Sequence, residues 1–338
     1  MKKRTLALMM SLILLLGITA CGKPAATGSA SDPTPEISQP EVGEPTRVMV
    51  LSGPTGVGAA KMMADNAAAG DAAAYDFTVV AGNDEVAPAL AKGEVDIACI
   101  ATNMAANLYN KQTDIQVLAV NTLGVLYVLE KGSSVSDISS LKGKTIYATG
   151  KAANPEYILN YVLTQNGVDP VKDVDIQWMT PQEVTAKMVA SADGVCMLPV
   201  PAATALMMKD AGVREALNIS AQWDAVSENP LVMGCVVVRT GFMEENPQLV
   251  EQFLAEYEAS IDFMKDESNS AAAAEYVAQF GITANAAIAA KAIPQCNLTY
   301  LAGEQMRTAI QSYYEVLFTA DPAAIGGGNP DDAFYYIP

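Results

Sequence analysis

From Arg47 onward the chain alternates short apolar runs of strand length with alanine-rich stretches of helical spacing. That alternation is the pattern of an α/β protein built from βαβ units. It predicts strands over 47–51, 77–80, 95–101 and 115–120, with helices over 59–69 and 85–92 between them. Asn121-Thr122-Leu123-Gly124 interrupts the pattern before the apolar run 125–129. The alternation then restarts, with strands over 145–148, 174–178 and 194–198 and helices over 154–165, 182–190 and 202–211. Residues 232–238 read as one more buried strand. From Asn246 the chain reads as almost all helix, with Leu249, Phe253, Tyr257 and Ile261 at helical spacing.

Segments 47–121 and 143–211 share this grammar. Residues 92–102 (KGEVDIACIAT) and 191–199 (SADGVCMLP) each carry a small-residue strand that stops at a polar or proline helix start. Buried strands draw on few residue types, so coincidence is the alternative reading. A true repeat implies two open sheets, and such sheets bind ligands beyond the carboxyl ends of their strands. Two of them facing each other would enclose one ligand.

The first residues set the compartment. Lys2, Lys3 and Arg4 precede an apolar run, Leu6 to Gly17, that is too short to span a bilayer and has the layout of an export signal. It ends in Leu16-Gly17-Ile18-Thr19-Ala20-Cys21, which resembles the bacterial lipobox, although Ile18 is less usual there than Leu or Val. On that resemblance residues 1–20 are removed and Cys21 carries a lipid. The alternative is an ordinary signal with an incidental cysteine. Residues 21–46 follow, rich in Pro, Ala, Ser and Thr and without an aromatic residue. They read as a disordered tether with an r.m.s. reach of about 25–30 Å.

Charge and composition narrow the function. The formal net charge is −18, and about −21 once Lys2, Lys3 and Arg4 are gone. Such a chain repels nucleic acid and has no basic groove to offer it. It contains no histidine, which removes Ser-His-Asp and Cys-His catalysis and histidine metal sites. Cys99, Cys196, Cys235 and Cys296 form no CxxC pair; an even count outside the cytosol leaves a disulfide open. Asn329-Pro-Asp-Asp332 reads as a solvated acidic turn, with weak Ca²⁺ binding the alternative. Gly53 to Gly58 is neither a Walker loop, since Ala59 stands where Lys is needed, nor a dinucleotide fingerprint. We expect no enzyme and no cofactor.

Taken together, Gly53-Pro-Thr-Gly-Val-Gly58 opening a helix, the turn Ile100-Ala-Thr-Asn103, Leu141-Lys-Gly-Lys-Thr-Ile146 and Met197-Leu-Pro-Val-Pro201 resemble the type 2 periplasmic binding proteins. The similarity is to the branch of nitrate, sulfonate, taurine and thiamine-precursor receptors, and it covers Arg47 to the C-terminus. One departure is Val200, where relatives often carry an acidic residue. The resemblance implies open, mostly parallel sheets flanked by helices in two lobes, 47–123 plus 235–338 and 124–234, with the ligand cleft between them. It implies a monomeric receptor, lipid-anchored at the extracytoplasmic face of the bacterial membrane. Its partners would be a small-molecule ligand, an ABC permease and its ATPase. A surface lipoprotein feeding a signalling partner is the alternative on the same fold.

Candidate ligand contacts follow from the turns. Ser52, Thr55 and Gly56 lie at a glycine-rich helix start suited to a polar or anionic group. Asn83, Thr102, Asn103 and Asn121 occupy the matching turns, with helix capping as the competing role. Across the cleft stand Thr149, Asn154, Tyr157 and Pro199, while Trp178 and Trp223 read as core. Lys151 is the main basic residue at these turns, which favours a neutral or heterocyclic ligand over nitrate or a sulfonate.

Overall fold

The computed structural model describes residues 44–338; the expected export signal, Cys21 and the expected tether as far as residue 43 lie outside the described residues. The chain begins β1 (Thr46–Leu51), α1 (Pro54–Val57), α2 (Ala60–Ala69), β2 (Tyr75–Val80), α3 (Asn83–Lys92), β3 (Ile97–Ala101), α4 (Thr102–Asn110) and β4 (Ile115–Thr122). It crosses through Leu123–Val125 into β5 (Leu126–Lys131). There follow β6 (Thr145–Ala148), α5 (Asn154–Gln165), β7 (Asp175–Trp178), α6 (Pro181–Ala190), β8 (Gly194–Pro199), α7 (Ala202–Lys209), β9 (Val213–Asn218) and α8 (Ile219–Asp224). A second crossing at Leu231–Met233 leads to β10 (Gly234–Arg239). The chain ends with α9 (Thr240–Glu245), α10 (Pro247–Lys265), α11 (Ser270–Gln279), α12 (Ala286–Ala292), β11 (Leu298–Ala302) and α13 (Gly303–Ala320).

These strands form two sheets, ordered β11-β4-β10-β3-β1-β2 and β7-β6-β8-β5-β9. Counted within its own half, each sheet runs second, first, third, a strand that arrives by a crossing, then fourth. The repeat suspected in the sequence is thus a repeat of topology, and residues 92–102 and 191–199 contain the third strand of each half. The sheets are open, as expected, but their pairing is mixed rather than mostly parallel. Parallel pairs join β1 to β2 and β3, and β6 to β7 and β8. β10 and β5 enter from the opposite half in reverse, so their pairs with β3, β4, β8 and β9 are antiparallel.

Both crossings are tightly packed. A Cβ on Gly124 would lie 2.2 Å from Ser220 Oγ and 2.8 Å from Leu231 Cδ2. One on Gly234 would lie 2.6 Å from Asn121 Oδ1. Glycine is needed at each position for close approach rather than for a special dihedral. Met233 N–H of the second crossing donates to Thr122 O beside the first (2.9 Å), and Leu123 N–H of the first donates to Asn297 O just before β11 (3.0 Å).

Of the strands predicted from apolar runs, β3, β5 and β10 are buried along almost their whole length, while the edge strands β2 and β7 are only partly covered. β9 and β11 were not legible. Both are edge strands with several half-buried or exposed positions, and β9 carries Arg214 and Glu215. An edge strand needs only one covered face, so its apolar signal is diluted. A run of rings joins helices of the two halves, from Tyr161 on α5 to Trp223 on α8 (4.7 Å between centroids) and on to Tyr313 on α13 (5.7 Å). Trp223 is fully buried and donates to Asn229 O (2.7 Å), in keeping with its reading as core.

Each sheet has a buried carboxylate at the strand ends remote from the carboxyl ends of its parallel strands. Asp96 accepts from Arg47 (2.6 and 2.9 Å) and Arg239 (2.7 Å), tying β1, β3 and β10. Glu130 on β5 accepts from Arg214 of β9, from Ser134 Oγ (2.5 Å) and from the N–H groups of Ser134 and Val135. Burial pushes both carboxyls up, and these donors outweigh it. Asp96 ends below its usual range and Glu130 falls to about 2.

Candidate functional site

The carboxyl ends of β1 and β2 face those of β7 and β8 across a groove of about 720 Å³. One wall belongs to the six-stranded half: Ser52, Gly53 and Pro54 after β1, Ala81 after β2, and Ile282 and Ile288 before and on α12. The other wall belongs to the five-stranded half. It presents Thr180, Gln182 and Thr185 around the start of α6, Pro199 to Pro201 after β8, and Ala202, Ala205 and Lys209 along α7. The last three are spaced three and four residues apart, so one face of that helix borders the groove.

Local sequence builds these walls. Gly53 has φ 99°, a backbone conformation open to glycine, and a Cβ on Gly56 would lie 2.1 Å from Leu51 O. The N–H groups of Ser52, Gly53 and Gly56 donate to Val80, Ile282 and Gly53 carbonyls (2.8, 3.2 and 3.1 Å). These donors hold the turn's own shape. Opposite, Thr180 and Glu183 form a reciprocal capping box at the start of α6, with Pro181 in its first turn.

Of the residues singled out in the sequence, Ser52 and Pro199 border this groove. Thr55 and Gly56 sit just behind it on α1. Asn83 opens α3, and its side chain lies outside the described part of the structure. Thr102, Asn121 and Asn154 gather instead at the crossings. Thr102 Oγ1 donates to Val232 O (2.6 Å), Asn154 Nδ2 donates to Met233 O (3.1 Å), and Tyr313 OH donates to Asn154 Oδ1 (3.0 Å). Asn121 Nδ2 donates to Tyr257 OH (2.9 Å), and Thr122 Oγ1 donates to Asn121 Oδ1 (3.0 Å). All three are buried, with their polar atoms bonded inside the protein. Asn103 is buried between α4 and the turn at Ala324 (3.4 Å). Thr149 and Tyr157 are half-buried and do not border the groove; burial, with Asp321 and Glu156 near, raises the Tyr157 hydroxyl.

Sequence reasoning missed Thr180, Gln182, Thr185 and Lys209. Thr180 had a signal, since Thr-Pro-x-Glu is a capping-box start. Lys209 had none, because it lies a whole helix beyond the turn after β8.

Other candidate chemistry resolves to structure. The four described cysteines are free and buried; burial pushes Cys99, Cys196 and Cys296 up to about 12, so these thiols stay protonated and inert. Cys99 pairs with Val236, the neighbour of Cys235, so the two cysteines point to opposite faces of the sheet and cannot bridge. Asp331 accepts from Tyr109 OH (2.5 Å) and Asp332 from Arg307 (2.7 Å), which gives the acidic turn a role in fastening the tail. Among the described residues no group of three or more His, Cys, Asp or Glu could hold a metal ion.

A groove at the strand ends of two like-ordered sheets, joined by two short crossings, is the architecture of a ligand-binding receptor. The chain belongs to the family described as ABC transporter, phosphonate, periplasmic substrate-binding protein, whose model matches residues 70–290. It is a substrate-binding component that works outside the cytoplasm with an ABC transporter. No curated protein matches it in sequence.

Solved structures share the fold. An ABC transporter protein from Parabacteroides distasonis is 24% identical with a TM-score of 0.73, over 86% of this chain and 98% of that one. The aliphatic sulphonate binding protein SsuA from Escherichia coli is 15% identical with a TM-score of 0.68, over 83% and 94%. The nitrate-binding protein NrtA from Synechocystis is 12% identical with a TM-score of 0.58, over 83% of each. At these identities the neighbours show the fold. No described helix is long and apolar enough to cross a membrane.

Proposed function

We propose that this chain is a lipid-anchored, monomeric receptor that closes two lobes over a small organic molecule or anion and delivers it to an ABC permease. The lobes are 47–123 plus 235–338 and 124–234, each built on one sheet, and they turn about the crossings at Asn121–Gly124 and Leu231–Gly234. The observation that carries this reading is the groove, whose two walls come from different sheets joined by two short segments. A ligand touching both walls favours whichever arrangement brings them together. Cys21 supplies the anchor and the proline-rich tether the freedom to reach the permease.

The walls revise one expectation. No aromatic residue borders the groove, so a flat heterocycle would find no ring to stack on. Lys209, not Lys151, is the basic residue present there. A phosphonate, sulfonate or related anion therefore fits better than a neutral heterocycle.

Native mass spectrometry on residues 22–338, purified gently from cells, tests the reading. A bound small molecule released on denaturation supports it. X-ray scattering at saturating ligand should show a smaller radius of gyration, and an unchanged radius would sink the closure model.

A further inference from the structure

Resting on the groove as the ligand site, we infer that Lys209 fixes the charge sign and the orientation of the ligand, holding its anionic end against α7. Lys209 is the one formal charge among the residues bordering the groove, in a chain whose net charge is −18. No carboxylate borders the groove to neutralise it. The neighbouring Asp210 is engaged elsewhere, accepting from Lys131 (2.8 Å). Lys209 itself makes no ion pair or hydrogen bond with the described residues, and it is the last residue of α7.

The other polar groups differ in availability. Thr185 Oγ1 donates to Pro181 O (2.9 Å), Thr283 Oγ1 to Asn285 O (3.2 Å), and Thr180 Oγ1 to Glu183 Oε2 (2.9 Å). Gln182 and Lys209 on one wall and Ser52 on the other have side-chain donors with no partner among the described residues. Ile282 and Ile288 line the wall opposite Lys209. An organic anion thus lies across the groove, its charged oxygens toward Lys209 and Gln182 and its carbon end on the isoleucines. A bare inorganic ion would leave that apolar wall wet. Cations are disfavoured, because the groove offers neither a carboxylate nor a ring face.

The test compares propane-1-sulfonate, propylphosphonate, propan-1-ol and propylamine by calorimetry on residues 22–338. The variants are Lys209→Gln, Lys209→Glu and, as a distant control, Lys265→Gln. At least one anion should bind the native chain, lose about tenfold or more in affinity with Lys209→Gln, and keep its affinity with Lys265→Gln. Lys209→Glu should abolish anion binding and admit propylamine. Ala205→Phe, which fills the groove, should abolish all binding. Equal anion affinity in native and Lys209→Gln protein, with Ala205→Phe still blocking, overturns the Lys209 assignment and leaves the groove standing. Anion binding untouched by Ala205→Phe removes the groove as well. Preference for propylamine, or no anion binding up to about 10 mM, also overturns the assignment.

Discussion

The two halves share a strand order but not the use of their turns. In the six-stranded half the turns after β1 and β2 border the groove, while the helix start after β3 is buried at the crossing through Thr102. In the five-stranded half the turns after β7 and β8 border the groove, while the helix start after β6 is buried there through Asn154. Matching strands therefore do not contribute matching turns. Topology sets which strand ends point toward the other half. The position of each strand relative to the crossings then decides whether its turn borders the groove or bonds to the crossing backbone. The walls also differ in kind, since the one formal charge, Lys209, comes from one half and the isoleucines Ile282 and Ile288 from the other.

Breaking the carboxylate clusters should give the largest effect and show how alike the halves are in stability. Asp96→Asn leaves Arg47 and Arg239 facing a neutral group, and Glu130→Gln does the same to Arg214. Each should cost about 3 kcal/mol in urea unfolding at pH 7, the lower end for breaking a buried pair. Glu130 also predicts the pH dependence. Its carboxyl is held at about 2 in the folded state and lies near 4.5 when unfolded. The stability it supplies is therefore full above about pH 4.5 and is lost as pH falls toward 2. Unfolding midpoints across that window should flatten in Glu130→Gln; an unchanged slope would refute the assignment.

Next in size, Gly56→Ala sets a Cβ against Leu51 O in the turn after β1. The corresponding turn after β6 holds Gly150, with φ 89° and a Cβ position 2.5 Å from Pro155 Cγ. Both substitutions should destabilise by about 2–3 kcal/mol. Gly56→Ala alone should also weaken ligand binding, because only its turn borders the groove. Equal binding by the two variants would contradict the division of turns.

A smaller effect is expected for Asn154→Ala, which frees Met233 O and the Tyr313 hydroxyl. It should cost about 1–3 kcal/mol and speed amide exchange at 231–234 more than in either sheet. Smallest is Thr180→Ala, which removes a cap that α3, the matching helix of the other half, forms without. A loss of about 1 kcal/mol is expected, read from thermal unfolding.

Much of the fold was legible because burial leaves a periodic mark. β6 and α5 match their expected limits, since a strand with alternate positions buried and a helix with one apolar face repeat at different periods. The site was less legible. Ser52 and Pro199, which follow predicted strands, border the groove, whereas Thr102 and Asn154 begin equally visible helices yet bond at the crossings. Lys209 reads in sequence as an ordinary basic residue at a helix end.

The sequence by itself determined the α/β class, the break in the strand–helix pattern at 121–124 and the exclusion of histidine chemistry. Each of these is written in local periodicity or composition. Tertiary structure alone decided which turns share the groove, that Asp96 and Glu130 are buried opposite arginines, and that Lys209 stands unpaired above an apolar wall. Those facts depend on contacts between residues up to about two hundred positions apart, and one chain's residue order carries no direct record of such pairs.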